Sequence, residues 1–163
     1  MIKIEIEGFG SMTLELYPEV APITVENFLN YVKDGFYDGL TFHRIYRGFM
    51  IQGGDPTGTG MGDRSLKTIK GEFKSNGVNN TISHERGVIS MARTNVKDSA
   101  SSQFFICHKD STFLDGDYAA FGKVIEGFDT LDAVADVPVT VGMSGERTTP
   151  FTPVVIKSIT IVE

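Results

Sequence analysis

The sequence has no tryptophan, one cysteine and three histidines among its 163 residues. A single cysteine cannot form an internal disulfide, which excludes a disulfide-stabilised fold. No stretch approaches the roughly 18 consecutive apolar residues of a membrane-spanning helix. Basic residues are also few, because 15 Lys and Arg face 21 Asp and Glu, for a formal net charge of -6. Such a field repels phosphate backbones and anionic lipids, so neither nucleic acid nor a membrane is an expected partner.

The amino terminus, MIKIEIE, alternates apolar and charged residues, whereas a signal peptide needs an unbroken apolar run. Together with the single cysteine, this pattern predicts a cytoplasmic protein. Cys107 itself lies in the apolar run FFIC at 104–107, which predicts a buried, inert thiol rather than a reactive one. The length and the 40% hydrophobic content predict one domain over 1–163, and nothing demands more than a monomer.

Two periodicities predict the secondary structure. Period-two alternation predicts a first antiparallel hairpin from 2–6 and 12–16, and the i, i+3, i+4, i+7 stripe after Pro22 predicts a helix that ends at Gly35. A second short helix is predicted at 128–135, a long ordered loop at 53–80 and a turn-rich stretch at 136–153. Further strands are predicted at 41–46, 49–52, 87–91, 103–107, 119–124 and 154–162. Many strands with two helices indicate a mainly β fold.

Two segments about fifty residues apart carry the strongest functional pattern. Residues 42–55 have the sequence FHRIYRGFMIQGGD and residues 101–106 have the sequence SSQFFI. Arg44 stands in an apolar neighbourhood where an unpaired charge is costly, so its guanidinium is expected to reach a cleft. The guanidinium stays charged and offers several donors in a fixed fork. The alternative is a surface arginine in a salt bridge.

Apolar residues near these segments are candidates for a pocket that receives a small apolar ring. For Phe49 and Leu114 taken singly, ordinary core is an equally good interpretation. Gln52 and Gln103 are more specific, because a carboxamide in an apolar strand must find partners, and a peptide backbone offers both donor and acceptor. The pocket candidates are Phe49, Met50, Phe105, Phe113 and Leu114.

These motifs, with PITVENF at 22–28, FLDG at 113–116 and FGKV at 121–124, resemble in their order the signature of the cyclophilin family. The resemblance covers nearly the whole chain. It implies a closed eight-stranded antiparallel β-barrel capped by two α-helices, and peptidyl-prolyl cis-trans isomerase activity in protein folding, without a cofactor. Expected partners are proline-containing peptides and unfolded chains, with Arg44 catalytic. The implied substrate-binding residues are His43, Phe49, Met50, Gln52, Ala92, Arg93, Gln103, Phe105, Phe113, Leu114 and Tyr118.

The chain departs from well-studied eukaryotic members at ligand-contacting positions. Phe113 stands for their Trp, Tyr118 for a groove His and Arg93 for an Asn, and the first two resemble the bacterial branch. Loss of the indole N–H removes a donor to cyclosporin, so weakened but measurable binding of that drug is expected. Tyr46 and Arg47 replace the usual Ile-Pro, which predicts a changed preference for residues flanking proline.

Histidines, a glycine-rich loop and two serines could indicate other classes of function. A metal site built from His43, His84, His108 and Asp55 has no common ligand spacing. Residues 58–63 lack the Lys-Ser/Thr ending of a phosphate loop and suit a flexible groove wall better, and Ser101 and Ser102 lie in no nucleophile elbow. His43 is expected to be a hydrogen-bonded residue near the groove, not a general base. The remaining rival is a binding module or chaperone that holds proline-containing segments without turnover.

Overall fold

Ten strands and two α-helices make up most of the regular structure of residues 1–162, which the structure, a computed structural model, describes. The α-helices are α1 (Pro22–Lys33) and α2 (Phe128–Ala135), and short 3-10 helices lie at Lys74–Asn76 and Thr112–Leu114. The strands are β1 (Ile2–Ile6), β2 (Gly10–Leu16), β3 (Arg44–Tyr46), β4 (Met50–Gly53), β5 (Val88–Met91), β6 (Phe104–Cys107), β7 (Ala120–Glu126), β8 (Val139–Val141), β9 (Arg147–Pro150) and β10 (Ile156–Ile161).

The amino-terminal alternation forms the antiparallel hairpin that it predicts. Ile4 of β1 lies opposite Met12 of β2, and Ile2 lies opposite Leu14. All four side chains are fully buried, while the intervening residues are only partly covered. One face of the hairpin therefore belongs to the core, as period-two patterning requires.

Eight strands form one antiparallel sheet in the order β10-β1-β2-β7-β5-β6-β4-β3. The mainly β, eight-stranded fold with two helices is confirmed. The expected closure is overstated, because the end strands β3 and β10 do not form a ladder with each other. Their flanks are joined instead by an isolated bridge between Thr41 and Val155, next to a 2.9 Å hydrogen bond from the Phe42 N–H to the Val154 carbonyl.

Helix α1 supplies an aromatic centre to the core. Its apolar stripe buries Val25, Phe28 and Val32, as the spacing predicts. The ring of Phe28 lies 5.1–5.5 Å from the rings of Tyr37, Phe104 and Phe121. Within residues 1–162, both α-helices fall short of the length and apolar character that a membrane-spanning helix needs.

The stretch predicted to consist of turns contains a second sheet. Strands β8 and β9 form a two-stranded antiparallel hairpin, with Val139 opposite Pro150. The pattern gave no sign of it, because the strands are short, show no apolar alternation and lie beside turn-forming residues, although Thr148 of β9 is buried. Strand β9 lies beside β3, so the hairpin stands next to the strand that carries Arg44.

Candidate active site

Three neighbouring strands set the chemistry of one groove. Arg44 of β3 lies opposite Gln52 of β4, and Gln52 in turn lies opposite Phe105 of β6. Residues directly opposite each other on antiparallel strands point to the same face of the sheet. The guanidinium, the carboxamide and the phenyl ring therefore line up across the sheet, although they come from two segments about fifty residues apart.

The Phe105 ring also belongs to a small apolar cluster that is separate from the main core. Met50, Phe105, Cys107 and Leu114 are buried in it, and Phe49, Ala92 and Tyr118 pack against it. The rings of Phe105 and Tyr118 meet edge to face at 5.8 Å. Leu114 belongs to this second cluster and Phe49 packs against it, so both are separate from the main core, and their role as pocket walls stays a prediction.

The recess opens into a cavity of about 770 Å³. Most of the predicted site residues border it, whereas Gln103 and Phe113 stand beside it. It is lined by His43, Arg44, Phe49, Met50, Gln52, Gly58, Thr59, Gly60, Met61, Ala92, Arg93, Phe105, Leu114, Tyr118, Gly142, Met143, Ser144, Glu146, Thr148 and Thr149.

Arg44 is held by a carboxylate that the sequence did not reveal. Its Nε and Nη2 donate to the two carboxylate oxygens of Glu146 at 2.7 and 2.9 Å, and Nη1 donates to Gln52 Oε1 at 3.2 Å. About one third of each of the Arg44 and Glu146 side chains remains exposed. The salt-bridge alternative is therefore realised together with the cleft, because the paired arginine lines the cavity.

The Arg44 guanidinium also changes the acidity of its partner. Its hydrogen bonds, helped by one from Thr148 and opposed by partial burial, lower the pKa of Glu146 to about 2. Glu146 is thus ionised throughout the neutral range. Three of the five guanidinium N–H donors are used within residues 1–162, which leaves one donor each on Nη1 and Nη2.

The two carboxamides bond to each other. Gln52 Nε2 donates to Gln103 Oε1 at 3.1 Å, and Gln103 Nε2 donates to the Gly60 carbonyl at 3.3 Å. Both carboxamides are predicted from the sequence to need hydrogen-bond partners. Groups within the protein supply part of those partners. Gln103 acts here as a support for Gln52 and for the loop that carries Gly60.

That loop, predicted as a flexible groove wall, is tied down by Asp55. The fully buried carboxylate accepts hydrogen bonds from the backbone N–H groups of Thr57, Gly60 and Gly62 at 2.7–3.0 Å, and from the Thr57 hydroxyl. Gly60 and Gly62 have φ of 88° and 76°, which suit glycine. Burial opposes ionisation of Asp55, but these hydrogen bonds outweigh it and lower its pKa.

His43 departs from its predicted role as a hydrogen-bonded residue. Its Nδ1 is buried and has no hydrogen-bond partner within residues 1–162. Burial lowers its pKa, and the charge of Arg44 adds to that effect while Asp55 opposes it. His43 is therefore a neutral imidazole at pH 7 in the cavity wall.

The other two histidines already have partners at both ring nitrogens. His84 contacts Asp115 and Ser90 at 2.9 Å each, and His108 Nδ1 accepts from the Gly48 N–H while its Nε2 lies 3.1 Å from Asp132. Within residues 1–162, no three His, Cys, Asp or Glu side chains gather as a metal site.

Arg93, Tyr118 and Phe113, the residues that depart from the eukaryotic pattern, make aromatic contacts at the groove. The Arg93 guanidinium lies 4.9 and 4.8 Å from the ring centroids of Phe73 and Tyr118. Phe113 is 72% exposed and its ring lies 5.5 Å from that of Phe49.

Cys107 is fully buried as predicted, and burial, aided by nearby Asp115 and Asp110, raises its pKa to about 12.

The sequence did not predict the wall contributed by the β8–β9 hairpin. Gly142 to Ser144, Glu146, Thr148 and Thr149 border the cavity. No local pattern ties these residues to Arg44, whose partner Glu146 lies 102 positions away. The one available signal was that a charge in apolar surroundings requires a counter-charge.

Comparison with known proteins identifies the same family that the sequence motifs resemble. Residues 1–161 match the family described as cyclophilin type peptidyl-prolyl cis-trans isomerase/CLD. A peptidyl-prolyl cis-trans isomerase of Acinetobacter baylyi is 46% identical over 161 residues, covering 94% of this chain and 81% of that protein. Peptidyl-prolyl cis-trans isomerase A of Dickeya dadantii is 41% identical over 159 residues, covering 94% and 80%.

A solved structure is similar over the same extent. The crystal structure of a Cryptosporidium parvum cyclophilin type peptidyl-prolyl cis-trans isomerase, determined in the presence of the dipeptide Ala-Pro, has a TM-score of 0.86 and 33% identity. The match covers 99% of this chain and 98% of that one.

Proposed function

The chain belongs to the cyclophilin-type peptidyl-prolyl cis-trans isomerases, and from this premise we propose that Arg44 catalyses its reaction above the apolar recess. The observation that carries the proposal is that Arg44 Nη1 and Nη2 each keep one donor without a partner among residues 1–162, beside a cavity lined by Met50, Phe105 and Leu114. A proline ring fits such an apolar floor. The X-Pro amide is then placed next to a cation.

The proposed chemistry is a torsional change without bond breaking. Resonance in an X-Pro amide sustains a rotational barrier of roughly 18–20 kcal/mol. An Arg44 N–H that donates to the prolyl nitrogen localises the lone pair of that nitrogen and weakens the partial double bond. The hydrogen bond from Arg44 to the prolyl nitrogen strengthens as the amide twists. It therefore stabilises the transition state more than either planar isomer. The step needs no proton transfer and no cofactor.

The proposed substrates are proline-containing peptides and unfolded protein chains. The structural relative determined with Ala-Pro supports this class, since that protein is 33% identical to this chain. Gln52 and backbone groups near Ala92 and Arg93 hold the segment that precedes the proline. Assistance to protein folding follows, because X-Pro isomerisation takes tens to hundreds of seconds when it is uncatalysed.

We also propose a cellular location, an oligomeric state and a further ligand for the protein. We place the protein in the cytoplasm as a monomer, a location that suits the reduced, buried Cys107. Subcellular fractionation and sedimentation test the two statements. Cyclosporin is proposed as a ligand of reduced affinity, because Phe113 offers no N–H donor.

A turnover measurement tests the role of Arg44. In a protease-coupled or proline-limited refolding assay, Arg44→Ala is expected to lower kcat/KM by about a hundredfold or more. Arg86→Ala is the matched control, since Arg86 likewise makes paired hydrogen bonds to a carboxylate, that of Asp132, but does not border the cavity. It is expected to retain native turnover. Near-native turnover of a folded Arg44→Ala protein would overturn the proposed mechanism.

A further inference from the structure

The carboxylate that grips Arg44 comes from an element without an assigned part in the reaction. Glu146 lies just before β9, in the turn of the β8–β9 hairpin, and borders the same cavity as Arg44. We infer that Glu146 is a positioning residue for the isomerisation, which fixes the plane and direction of the Arg44 guanidinium through its paired hydrogen bonds. The inference rests on the proposed function of Arg44 and extends it to a second residue.

The geometry explains what such a contact fixes. A guanidinium has a side edge formed by Nε and one Nη, and an end formed by the two Nη atoms. Glu146 occupies the side edge with bonds of 2.7 and 2.9 Å, and Gln52 accepts one Nη1 donor at 3.2 Å. The free donors on Nη1 and Nη2 are therefore presented in a set direction. A free arginine side chain instead distributes its donors over many rotamers, so few of its conformations point a donor at the substrate.

Glu146 is itself anchored by the hairpin. The Thr148 hydroxyl donates to Glu146 Oε1 at 2.7 Å, which is the oxygen that also accepts from Arg44 Nε. Thr148 is buried, with 4% of its surface exposed. The backbone carbonyl of Glu146 accepts from the N–H groups of Gly142 and Thr148 at 3.2 and 3.0 Å. The chain of contacts thus runs from the hairpin backbone through Thr148 and Glu146 to Arg44.

The carboxylate has two opposite effects on catalysis. It orients the donors of Arg44, which favours the twisted amide, and it offsets part of the positive charge, which weakens each donor. At a site that is one third exposed, solvent already screens the charge, so the loss from neutralisation is small. Orientation does not depend on the dielectric and therefore dominates. Removal of the carboxylate is expected to slow the reaction rather than to accelerate it.

A double-mutant cycle with Arg44 tests the inference. Glu146→Ala is expected to lower kcat/KM about tenfold when Arg44 is present and to change it little in the Arg44→Ala background, because the two residues act as one unit. The Arg44→Ala proteins are assayed at raised enzyme concentration. Glu146→Gln keeps one acceptor oxygen and is expected to restore part of the loss. Asp136→Ala, which breaks the exposed Arg47–Asp136 pair, is the matched control and is expected to leave turnover unchanged.

A spectroscopic readout separates orientation from general damage to the hairpin. The Arg44 Nε–H is expected to give a protected resonance in ¹⁵N NMR of the wild type, and to lose that protection in Glu146→Ala. Thr148→Val removes the hydroxyl that anchors Glu146. This variant is expected to lie between the wild type and Glu146→Ala, both in protection of the Arg44 Nε–H and in turnover. If Glu146→Ala disrupts the hairpin, the Thr148→Val and Glu146→Gln proteins carry the test.

The outcomes distinguish the two proposals. Unchanged or increased turnover in Glu146→Ala, with Arg44→Ala inactive, overturns the positioning role and leaves the role of Arg44 in place. Native turnover in Arg44→Ala overturns the proposed function itself. An equal loss from Glu146→Ala in both backgrounds shows that Glu146 does not act through Arg44 and also overturns the inference.

Discussion

The Arg93 guanidinium carbon lies 4.8 Å from the centroid of the Tyr118 ring and 4.9 Å from that of the Phe73 ring. Its Nε and Nη1 donate to the carbonyls of Asp117 and Thr94 at 2.8 and 2.9 Å. A stacked and hydrogen-bonded guanidinium loses little further entropy on binding. The groove therefore presents a rigid cation in addition to Arg44, at a position where the eukaryotic pattern has a neutral residue.

Arg93 is expected to favour acidic residues in the segment that precedes the proline. Two unit charges 4 Å apart attract by about 1 kcal/mol in water, so peptides with Glu there should show kcat/KM about fivefold above their Gln counterparts. Arg93→Gln is expected to abolish the preference, and high salt is expected to reduce it. Arg64→Gln is the control, since Arg64 is exposed and does not border the cavity. Equal selectivity in the wild type and Arg93→Gln would count against this assignment.

Phe113→Trp is expected to strengthen the binding of cyclosporin. Phe113 is 72% exposed beside Phe49, so a larger ring fits there without repacking the core. One added neutral hydrogen bond contributes about 0.5–1.5 kcal/mol, which corresponds to about a two- to tenfold lower dissociation constant by calorimetry. Phe151→Trp, at an exposed site outside the cavity, is expected to have no effect. Identical affinities for the wild type and Phe113→Trp would show that the missing indole is not the limiting factor.

Asp55→Ala is expected to lower the free energy of unfolding by about 1.5–3 kcal/mol, because three part-buried backbone hydrogen bonds lose their charged acceptor. Urea denaturation measures the change. Asp63→Asn is the control on the same loop, since that exposed carboxylate accepts only from Ser65. A denaturation midpoint for Asp55→Ala equal to that of the wild type would contradict the anchoring role.

Asp55 also predicts a pH dependence. Its hydrogen bonds lower its folded pKa below the ordinary value of 3.8, despite burial. A carboxyl with a lowered pKa binds protons more tightly in the unfolded chain, so its stabilisation is complete above the unfolded pKa. It is lost as the pH falls through the folded value. The difference in unfolding free energy between the wild type and Asp55→Ala is thus expected to be constant near neutrality and to shrink below about pH 4.

Local patterns were enough to predict a mainly β fold and most of its helices and strands, whereas the eight-stranded architecture was implied by the family resemblance. The β1–β2 alternation and the α1 stripe follow from burial on one face, so the bounds of these elements could be placed closely. The grouping of Arg44, Gln52 and Phe105 was implied by the family resemblance, and the structure brings them together on adjoining strands. The roles assigned to these residues remain predictions.

Long-range polar pairs could not be predicted from the sequence. Glu146 is one of 21 acidic residues, and nothing in its neighbours marks it as the partner of Arg44. The β8–β9 hairpin that presents it was hidden because Pro138, Gly142 and Pro150 are typical of turns. Pairing across 102 positions is set by the assembled fold and not by local sequence.

Glu72 is a second example, and it gives the last prediction. Helix α1 has no side-chain cap from its own flank, where Ala21 stands at the N-cap position. Glu72, 48 residues away, supplies the acceptor instead, because its Oε1 accepts from both the backbone N–H and the hydroxyl of Thr24 at 2.6 and 2.7 Å. Both residues are buried, and a carboxylate near a helix N-terminus is stabilised by the helix dipole.

Glu72→Ala is expected to lower the free energy of unfolding by about 2–3 kcal/mol, because it leaves a buried N–H and hydroxyl without an acceptor. Glu72→Gln keeps an acceptor oxygen and is expected to lose about half as much, since only the charge is removed. Glu26→Gln, an exposed change on the same helix, controls for the loss of one negative charge. Chemical denaturation measures all three. If Glu72→Gln and Glu72→Ala lose the same amount, the ionic part of the contact carries the stabilisation, and if neither loses any, Glu72 does not cap α1.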